Sequence, residues 1–130
     1  MAVKLNHTIV WCRDKEVSAS YLAEVLGLEA PRPWGPFLVV EMGNEVSLDF
    51  REYYRPDGEI DHQHYAFLVP EDDFDQILGR LTARGQQYWA GPGYQRPGEI
   101  NHDDGGRGLY FKDPDDHALE IITRPYGSGG

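Results

Sequence analysis

The chain has 130 residues, with 12 basic and 22 acidic side chains, and a formal net charge of −10 at pH 7. Hydrophobic residues make up 40% and aromatic residues 12%, which excludes a disordered chain and is enough for one domain with a sizeable core. The acidic excess argues against binding to nucleic acid or to an anionic membrane surface, because both need basic side chains. We therefore expect neither a nucleic-acid partner nor a membrane partner.

Cysteine content and the chain ends bear on location. Cys12 is the only cysteine, so no disulfide can form within the chain. The sequence has no basic-then-apolar N-terminal signal, and no apolar run approaches the ~18 residues of a membrane span. These features predict a cytoplasmic protein. The glycine-rich residues 127–130 are expected to form a flexible tail outside the fold.

The first half of the chain predicts a strand, a helix and a hairpin. Residues 5–12 are β-branched and aromatic, which favours a strand. Asp14 is a suitable N-cap for a helix that Gly27 ends. The remaining segments are a proline-rich loop over 31–36, strands over 37–42 and 45–50, and a turn at Gly43–Asn44.

The second half repeats this order. Residues 64–69 form an apolar run that predicts a strand. Pro70 and the three acids behind it predict a helix start that suits the helix dipole, and Gly85 is expected to end the helix. The remaining segments are a short strand over 87–90, a glycine-rich loop over 91–108, strands over 109–111 and 118–123, and a turn over 113–116.

Polar residues recur at matching positions of the two halves. His64 lies 57 residues after His7, and the same spacing relates the two helix starts. Glu120 lies 71 residues after Asp49, and the 14 additional residues fit the long loop 91–108. This pattern predicts duplication rather than an ordinary α+β sandwich.

We predict an α+β fold in which two βαβββ modules form a curved mixed sheet with the helices on the outside. Residues 1–126 are expected to form a single domain. Its parts are module one at 3–52, a connector at 53–61 and module two at 62–125.

Strand alternation separates the polar residues from the apolar sets that suit contact with the helices. On this basis His7, Asp49, His64 and Glu120 are candidates for the side of the sheet opposite the helices. Two neutral imidazoles with one or two carboxylates suit a divalent first-row metal, and such a set leaves positions open for water or substrate. The sequence therefore favours a metal site.

Three stretches resemble the vicinal oxygen chelate superfamily, which includes glyoxalase I, extradiol dioxygenases, fosfomycin-resistance proteins and bleomycin-resistance proteins. They are residues 5–10, 21–28 and 110–121, and the last is similar to the family ending F-x-D-P-D-G-H-x-x-E, with Asp116 where Gly is usual. The resemblance covers residues 3–125. It implies the glyoxalase/bleomycin resistance/dioxygenase fold and a divalent metal (Fe, Zn, Ni or Mn) held by His7, Asp49, His64 and Glu120.

The resemblance also implies an activity. The expected protein is a metal-dependent enzyme, a lyase, isomerase or dioxygenase, acting on a small oxygen-bearing substrate, and a homodimer is plausible for the family. Glu120 or Asp49 would act as general base. Asp49 is one methylene shorter than the Glu of glyoxalase I, so it is a ligand, a ligand through water or an outer-shell group. Trp11 stands where glyoxalase I has an Arg for glutathione, which argues against the methylglyoxal–glutathione reaction.

Several positions keep two interpretations. His62 is a rival ligand to His64, because the two lie on one side of an extended chain. Trp11 is a candidate for substrate stacking or for packing. The long loop carries three candidates for substrate contact, Asn101, His102 and Arg107. The alternative interpretation is that this loop is solvated and has no contact with substrate. The alternative function is a metal-free small-molecule or antibiotic-binding protein, as bleomycin-resistance proteins are, and a weaker one is a structural interaction module.

Overall fold

The computed structural model describes residues 2–129. The chain separates into two units, the first ending at His62 and the second beginning at Gln63. The first unit has a mixed four-stranded sheet, the second a mixed five-stranded sheet, and each has one α-helix. The α+β class and the repeated order of strand, helix and further strands are therefore confirmed.

The first unit has the strand order β1-β4-β3-β2, in which β1 runs parallel to β4 and the other neighbours are antiparallel. Its elements are β1 (His7–Cys12), α1 (Lys15–Leu26), β2 (Arg32–Trp34), β3 (Phe37–Glu41) and β4 (Ser47–Glu52). The hairpin predicted around Gly43–Asn44 joins β3 to β4.

Helix α1 begins and ends where the sequence predicts. The Asp14 carboxylate accepts hydrogen bonds from the backbone N–H groups of Glu16 (3.0 Å) and Val17 (3.3 Å), which satisfies two donors of the first turn. Gly27 has a φ of 72°, the left-handed conformation that commonly ends a helix. The helix contacts β3, in which residues 38–40 are all buried, and β4, in which buried side chains alternate with half-buried ones.

The proline-rich segment 31–36 was expected to be a loop, and this was wrong in part. Residues Arg32–Trp34 form the short strand β2, which pairs with β3. Pro33 has no N–H, but β2 lies at the edge of its sheet, where a missing donor is tolerated.

The second unit has the strand order β5-β9-β8-β6-β7, and β5 runs parallel to β9. Its elements are β5 (His64–Leu68), α2 (Glu71–Ala83), β6 (Trp89–Gly91), β7 (Gln95–Pro97), a 3-10 helix (Asp103–Gly105), β8 (Gly108–Lys112) and β9 (Ala118–Ile122). Helix α2 follows Pro70, which has an extended conformation and makes no side-chain cap, and its first turn carries three acids.

The predicted loop 91–108 contains regular structure, which corrects the sequence interpretation. Strand β7 and the 3-10 helix lie within it, and the strand predicted from residue 87 begins at Trp89. Both elements are only three residues long, so neither leaves a periodic hydrophobic pattern in the sequence.

The turn before β9 explains the departure from the family pattern at Asp116. Asp116 has a φ of 64°, in the left-handed region that favours glycine and that aspartate tolerates. The Asp113 carboxylate accepts hydrogen bonds from the N–H groups of Asp115 and His117, each at 2.9 Å. His117 is fully buried, and its Nδ1 accepts a hydrogen bond from the Gln63 N–H at 2.9 Å, so its role is structural.

Neither helix among residues 2–129 is long and apolar enough to cross a membrane. The expected tail at 127–130 lies partly outside the described residues. Within it, Ser128 N–H donates to the Pro125 carbonyl and Gly129 N–H donates to Asp104.

Candidate functional site

The second unit brings one predicted histidine and one predicted carboxylate together. In the parallel pair of β5 and β9, His64 lies opposite Ala118, and Ala66 lies opposite Glu120. His64 and Glu120 are therefore diagonal neighbours on one face of the sheet. The distance between His64 Nε2 and Glu120 Oε1 is 3.2 Å, and the Glu120 side chain is 1% exposed.

The hydrogen bond on the other ring nitrogen fixes which His64 atom can bind a cation. His64 Nδ1 lies 2.9 Å from the Ala118 carbonyl oxygen, which can only accept a hydrogen bond. In the neutral ring Nδ1 therefore carries the proton and Nε2 carries the lone pair. A lone pair that faces a carboxylate oxygen is stable only with a proton or a cation between them. An Nδ1–H held by a carbonyl is also the usual arrangement of a metal-binding histidine.

The Glu120 carboxyl lies in a desolvated position. Burial raises its pKa above the usual value, and the Tyr110 hydroxyl and the His64 ring counteract part of that rise. Burial and the Glu120 carboxylate together raise the pKa of Tyr110 to about 12. The Tyr126 hydroxyl also donates a hydrogen bond to Glu120 Oε2. A cation between this buried carboxylate and the imidazole nitrogen would offset the free-energy cost of burying the negative charge.

The first unit repeats this register with different partners. His7 lies opposite Ser47, and Ile9 lies opposite Asp49, in the parallel pair of β1 and β4. His7 Nδ1 lies 2.7 Å from Asn6 Oδ1, so its Nε2 again carries the lone pair in the neutral ring. Asp49 Oδ1 accepts a hydrogen bond from the Ser47 hydroxyl at 2.8 Å. The structure thus pairs His7 with Asn6 rather than with Asp49.

An open cavity of about 300 Å³ lies over the His7 and Asp49 face of the first unit. Its lining combines polar groups with aromatic and aliphatic side chains, as small-molecule sites do. The lining residues are Asn6, His7, Ile9, Arg32, Trp34, Phe37, Val39, Ser47 and Asp49.

Each unit supplies an imidazole and a carboxylate, a donor set that fits a divalent first-row metal. Within the residues described for either unit, no group of three or more His, Cys, Asp or Glu side chains is positioned to hold a metal ion. The ligand set predicted from the sequence therefore consists of two pairs, one from each unit.

Two further candidates lie near these pairs in the sequence. His62 is exposed and ends the first unit, two residues before β5 begins. Trp11 is half-buried on β1 and packs against Tyr53, with ring centroids 4.9 Å apart. The observed contact of Trp11 is thus a packing contact, and its role toward substrate stays a prediction.

The loop candidates differ in what they contact. Asn101 is buried, and its Nδ2 donates to the Ala90 carbonyl at 2.7 Å, so it holds the loop against β6. Arg107 donates to Asp75 at 2.7 Å and to Glu71 at 3.4 Å, and it lowers the pKa of Asp75. His102 is exposed and precedes the 3-10 helix. Substrate contact by these three residues stays a prediction.

Sequence reasoning missed the residues that surround the carboxylates. Tyr110 lies opposite Glu120 in the β8–β9 register, and a correct strand pairing would have found it. Alternation does place Ser47 on the face of Asp49, but it does not show the hydrogen bond between the two side chains. Tyr126 lies beyond β9, where no periodic signal connects it to Glu120.

The two α+β units share one order over four strands, to which the second unit adds the edge strand β7. Each unit presents a histidine and a carboxylate at the same register, which defines a duplicated βαβββ protein. The family model described as "Glyoxalase/Bleomycin resistance protein/Dioxygenase superfamily" matches residues 4–121. The chain belongs to this superfamily, as its resemblance to vicinal oxygen chelate proteins implied.

Three relatives give this membership more detail. The chain is 33% identical to glutathione transferase FosA of Serratia marcescens over 93% of its own length and 81% of that protein's length. The solved structure named oxidase ChaP-H2 is 60% identical, with full coverage of both chains and a TM-score of 0.94. Oxidase ChaP-H1 is 58% identical over 97% of this chain and 99% of that chain, with a TM-score of 0.92.

Proposed function

We propose that this protein is a metal-dependent enzyme acting on a small oxygen-bearing substrate. His7, His64 and Glu120 would bind the metal, with Asp49 as a further ligand or an outer-shell group. The observation that carries the proposal is the buried Glu120 carboxylate, whose Oε1 lies 3.2 Å from His64 Nε2, the ring nitrogen that does not face the Ala118 carbonyl. The matching register of His7 and Asp49 supports the second pair of ligands.

A bound divalent cation would supply Lewis-acid stabilisation of negative charge on two adjacent substrate oxygens. The protein's own groups would do the rest. Glu120 would accept a proton from the substrate as the general base. Asp49 is the second candidate for this role, and the Ser47 hydroxyl would orient it. The Trp34 and Phe37 side chains of the first-unit cavity would exclude water from the substrate.

The relatives favour one reaction type among those left open. Two structures named oxidases are 58–60% identical to this chain, whereas glutathione transferase FosA is 33% identical. We therefore propose oxidation of the substrate, with dioxygen as the oxidant, before lyase or isomerase chemistry. Iron(II) is the metal that best suits such chemistry.

The metal content of the protein tests this function. The chain is purified without chelator and analysed for Fe, Zn, Ni and Mn. We expect about one equivalent of transition metal per chain, or uptake of one equivalent of Fe²⁺ under anaerobic conditions. Less than about a tenth of an equivalent, without uptake on titration, would contradict the proposal, since a donor set of this kind binds such ions strongly.

The second candidate function is a metal-free small-molecule-binding protein. The open cavity of the first unit favours it, because Trp34 and Phe37 offer aromatic surface without any metal. Chelator-treated protein would then bind a fluorescent aromatic probe, 8-anilinonaphthalene-1-sulfonate, as well as untreated protein does, and the Trp34→Ala variant would bind it less. A homodimer and a cytoplasmic location stay predictions, and light scattering of the purified protein measures the first.

A further inference from the structure

The chain beyond β9 folds back toward the Glu120 side of the second unit. Arg124 Nη2 donates to the Ser128 carbonyl at 3.0 Å, and Ser128 N–H donates to the Pro125 carbonyl at 3.1 Å. Gly127 has a φ of 82°, which allows the tight turn between them. Gly129 N–H donates to Asp104 Oδ1 at 3.2 Å. These bonds fix the segment that carries Tyr126.

Tyr126 contacts the candidate ligand Glu120 directly. Its hydroxyl donates to Glu120 Oε2, and it lies 3.1 Å from the Tyr110 hydroxyl. The other oxygen, Oε1, faces His64 Nε2. One oxygen of the buried carboxylate therefore accepts a hydrogen bond from a hydroxyl, and the other lies beside the imidazole.

Burial does not account for the placement of Tyr126. The residue is 57% exposed, so its ring gains little from the hydrophobic effect at this point. The polar end of the side chain makes the specific contacts, with Glu120 and with Tyr110. A hydroxyl that donates to a carboxylate forms a charge-assisted hydrogen bond, which is stronger than a neutral one.

We propose that Tyr126 is a positioning residue for Glu120. Its hydrogen bond to Oε2 holds the carboxylate so that Oε1 alone meets a cation beside His64 Nε2. This inference rests on the proposed function, since it concerns the same metal site. Hydrogen bonds of this kind orient metal ligands, and their loss typically reduces metal affinity about 10–100-fold.

Co²⁺ titration of the chelator-treated full chain tests the proposal, because Co²⁺ reports both affinity and coordination through its visible absorption. The variants are Tyr126→Phe, which removes only the hydroxyl, and Tyr54→Phe as a matched control. Tyr54 is 55% exposed and lies outside the strands and helices. Tyr126→Leu is a second variant, which removes both hydroxyl and ring.

We expect Tyr126→Phe and Tyr126→Leu to bind Co²⁺ about 10–100-fold more weakly than the wild type, with an altered absorption spectrum as Oε2 becomes available to the ion. Tyr54→Phe should match the wild type in both measurements, and thermal unfolding should occur at a similar temperature in every folded variant.

The outcomes separate the two proposals. If the wild type binds Co²⁺ and both Tyr126 variants bind it with the same affinity and spectrum, the positioning role is overturned and the metal site stands. If the wild type binds no Co²⁺, the proposed function fails, and the positioning role fails with it.

Discussion

In the first unit Asp49 accepts a hydrogen bond from Ser47 and lines an open cavity, whereas in the second unit Glu120 is 1% exposed and contacts His64 and Tyr126. The two carboxylates occupy the same register relative to their histidines. The backbone of the duplicated module therefore fixes where a carboxylate stands, and neighbouring side chains decide how firmly it is held.

The neighbouring strand illustrates this difference. Val39 lies opposite Asp49 in the first unit, and Tyr110 lies opposite Glu120 in the second. Valine offers no hydrogen bond, while the Tyr110 hydroxyl contributes to the electrostatics of Glu120. Glu120 is thus the better organised ligand candidate, and Asp49 depends on one serine hydroxyl.

Loss of metal affinity is expected to be the largest effect, and it should be greater when Glu120 is replaced than when Asp49 is replaced. Glu120→Ala should lower the affinity for a divalent metal by more than the 10–100-fold typical of outer-shell substitutions, because it removes a ligand atom. Asp49→Ala should lower it by about 10-fold, since Asp49 is shorter and is held by a single hydrogen bond. Calorimetric titration of the chelator-treated variants with Mn²⁺ measures both. Equal losses of metal affinity in the two variants would contradict the stronger ligand role of Glu120.

The second prediction concerns stability without metal. Burial raises the pKa of Glu120 from its usual value of 4.5, so between that value and the raised one the folded chain binds more protons than the unfolded chain. The contribution of Glu120 to stability therefore falls as pH rises through this window. Glu120→Gln carries no such charge, and with chelator present it should be more stable than the wild type above the window by up to about 1 kcal/mol, after allowance for solvent screening.

Urea unfolding of both proteins between pH 4 and pH 8 measures this difference. Asp49→Asn, which also replaces a carboxylate by an amide of the same length, serves as the control in the first unit. Asp49 is half-buried beside an open cavity, so this control isolates the effect of fully burying a carboxylate. A Glu120→Gln variant that is less stable than the wild type at every pH would contradict the expected cost of the buried charge.

The smallest expected effect contrasts the two helices. Asp14 caps α1 with its side chain, whereas Pro70 before α2 makes no side-chain cap. Asp14→Ala should lower the free energy of unfolding by about 1 kcal/mol, the usual cost of a lost N-cap. Glu71→Ala at the matching position should cost less, because Glu71 acts through the helix dipole and an exposed ion pair with Arg107. Chemical denaturation of both variants makes the comparison.

The fold was largely predictable because its strands and helices carry strong local signals. The Asp14 cap, the Gly27 stop and the Gly43–Asn44 hairpin all lie where the sequence indicated. Strand β2 was missed because Pro33 is typical of a loop and only its edge position permits a strand. The matching positions of the two histidines and two carboxylates were also accessible, since duplication repeats them 57 and 71 residues apart and the long loop 91–108 fits the difference.

The surroundings of the site were less predictable for a physical reason. The contact of Tyr126 with Glu120 depends on a turn at Gly127 and on the hydrogen bond from Gly129 to Asp104, neither of which follows from strand or helix periodicity. Burial of Asn101 likewise depends on its tertiary bond to the Ala90 carbonyl. Such contacts arise only once the strands are paired.

The metal content of His64→Ala, compared with that of His62→Ala and measured on proteins purified without chelator, shows which histidine is the ligand. We expect His64→Ala to lose the metal, because Nε2 of His64 faces the buried carboxylate, while His62→Ala retains about one equivalent. Retention of metal by His64→Ala together with its loss from His62→Ala would contradict the assignment of the ligand.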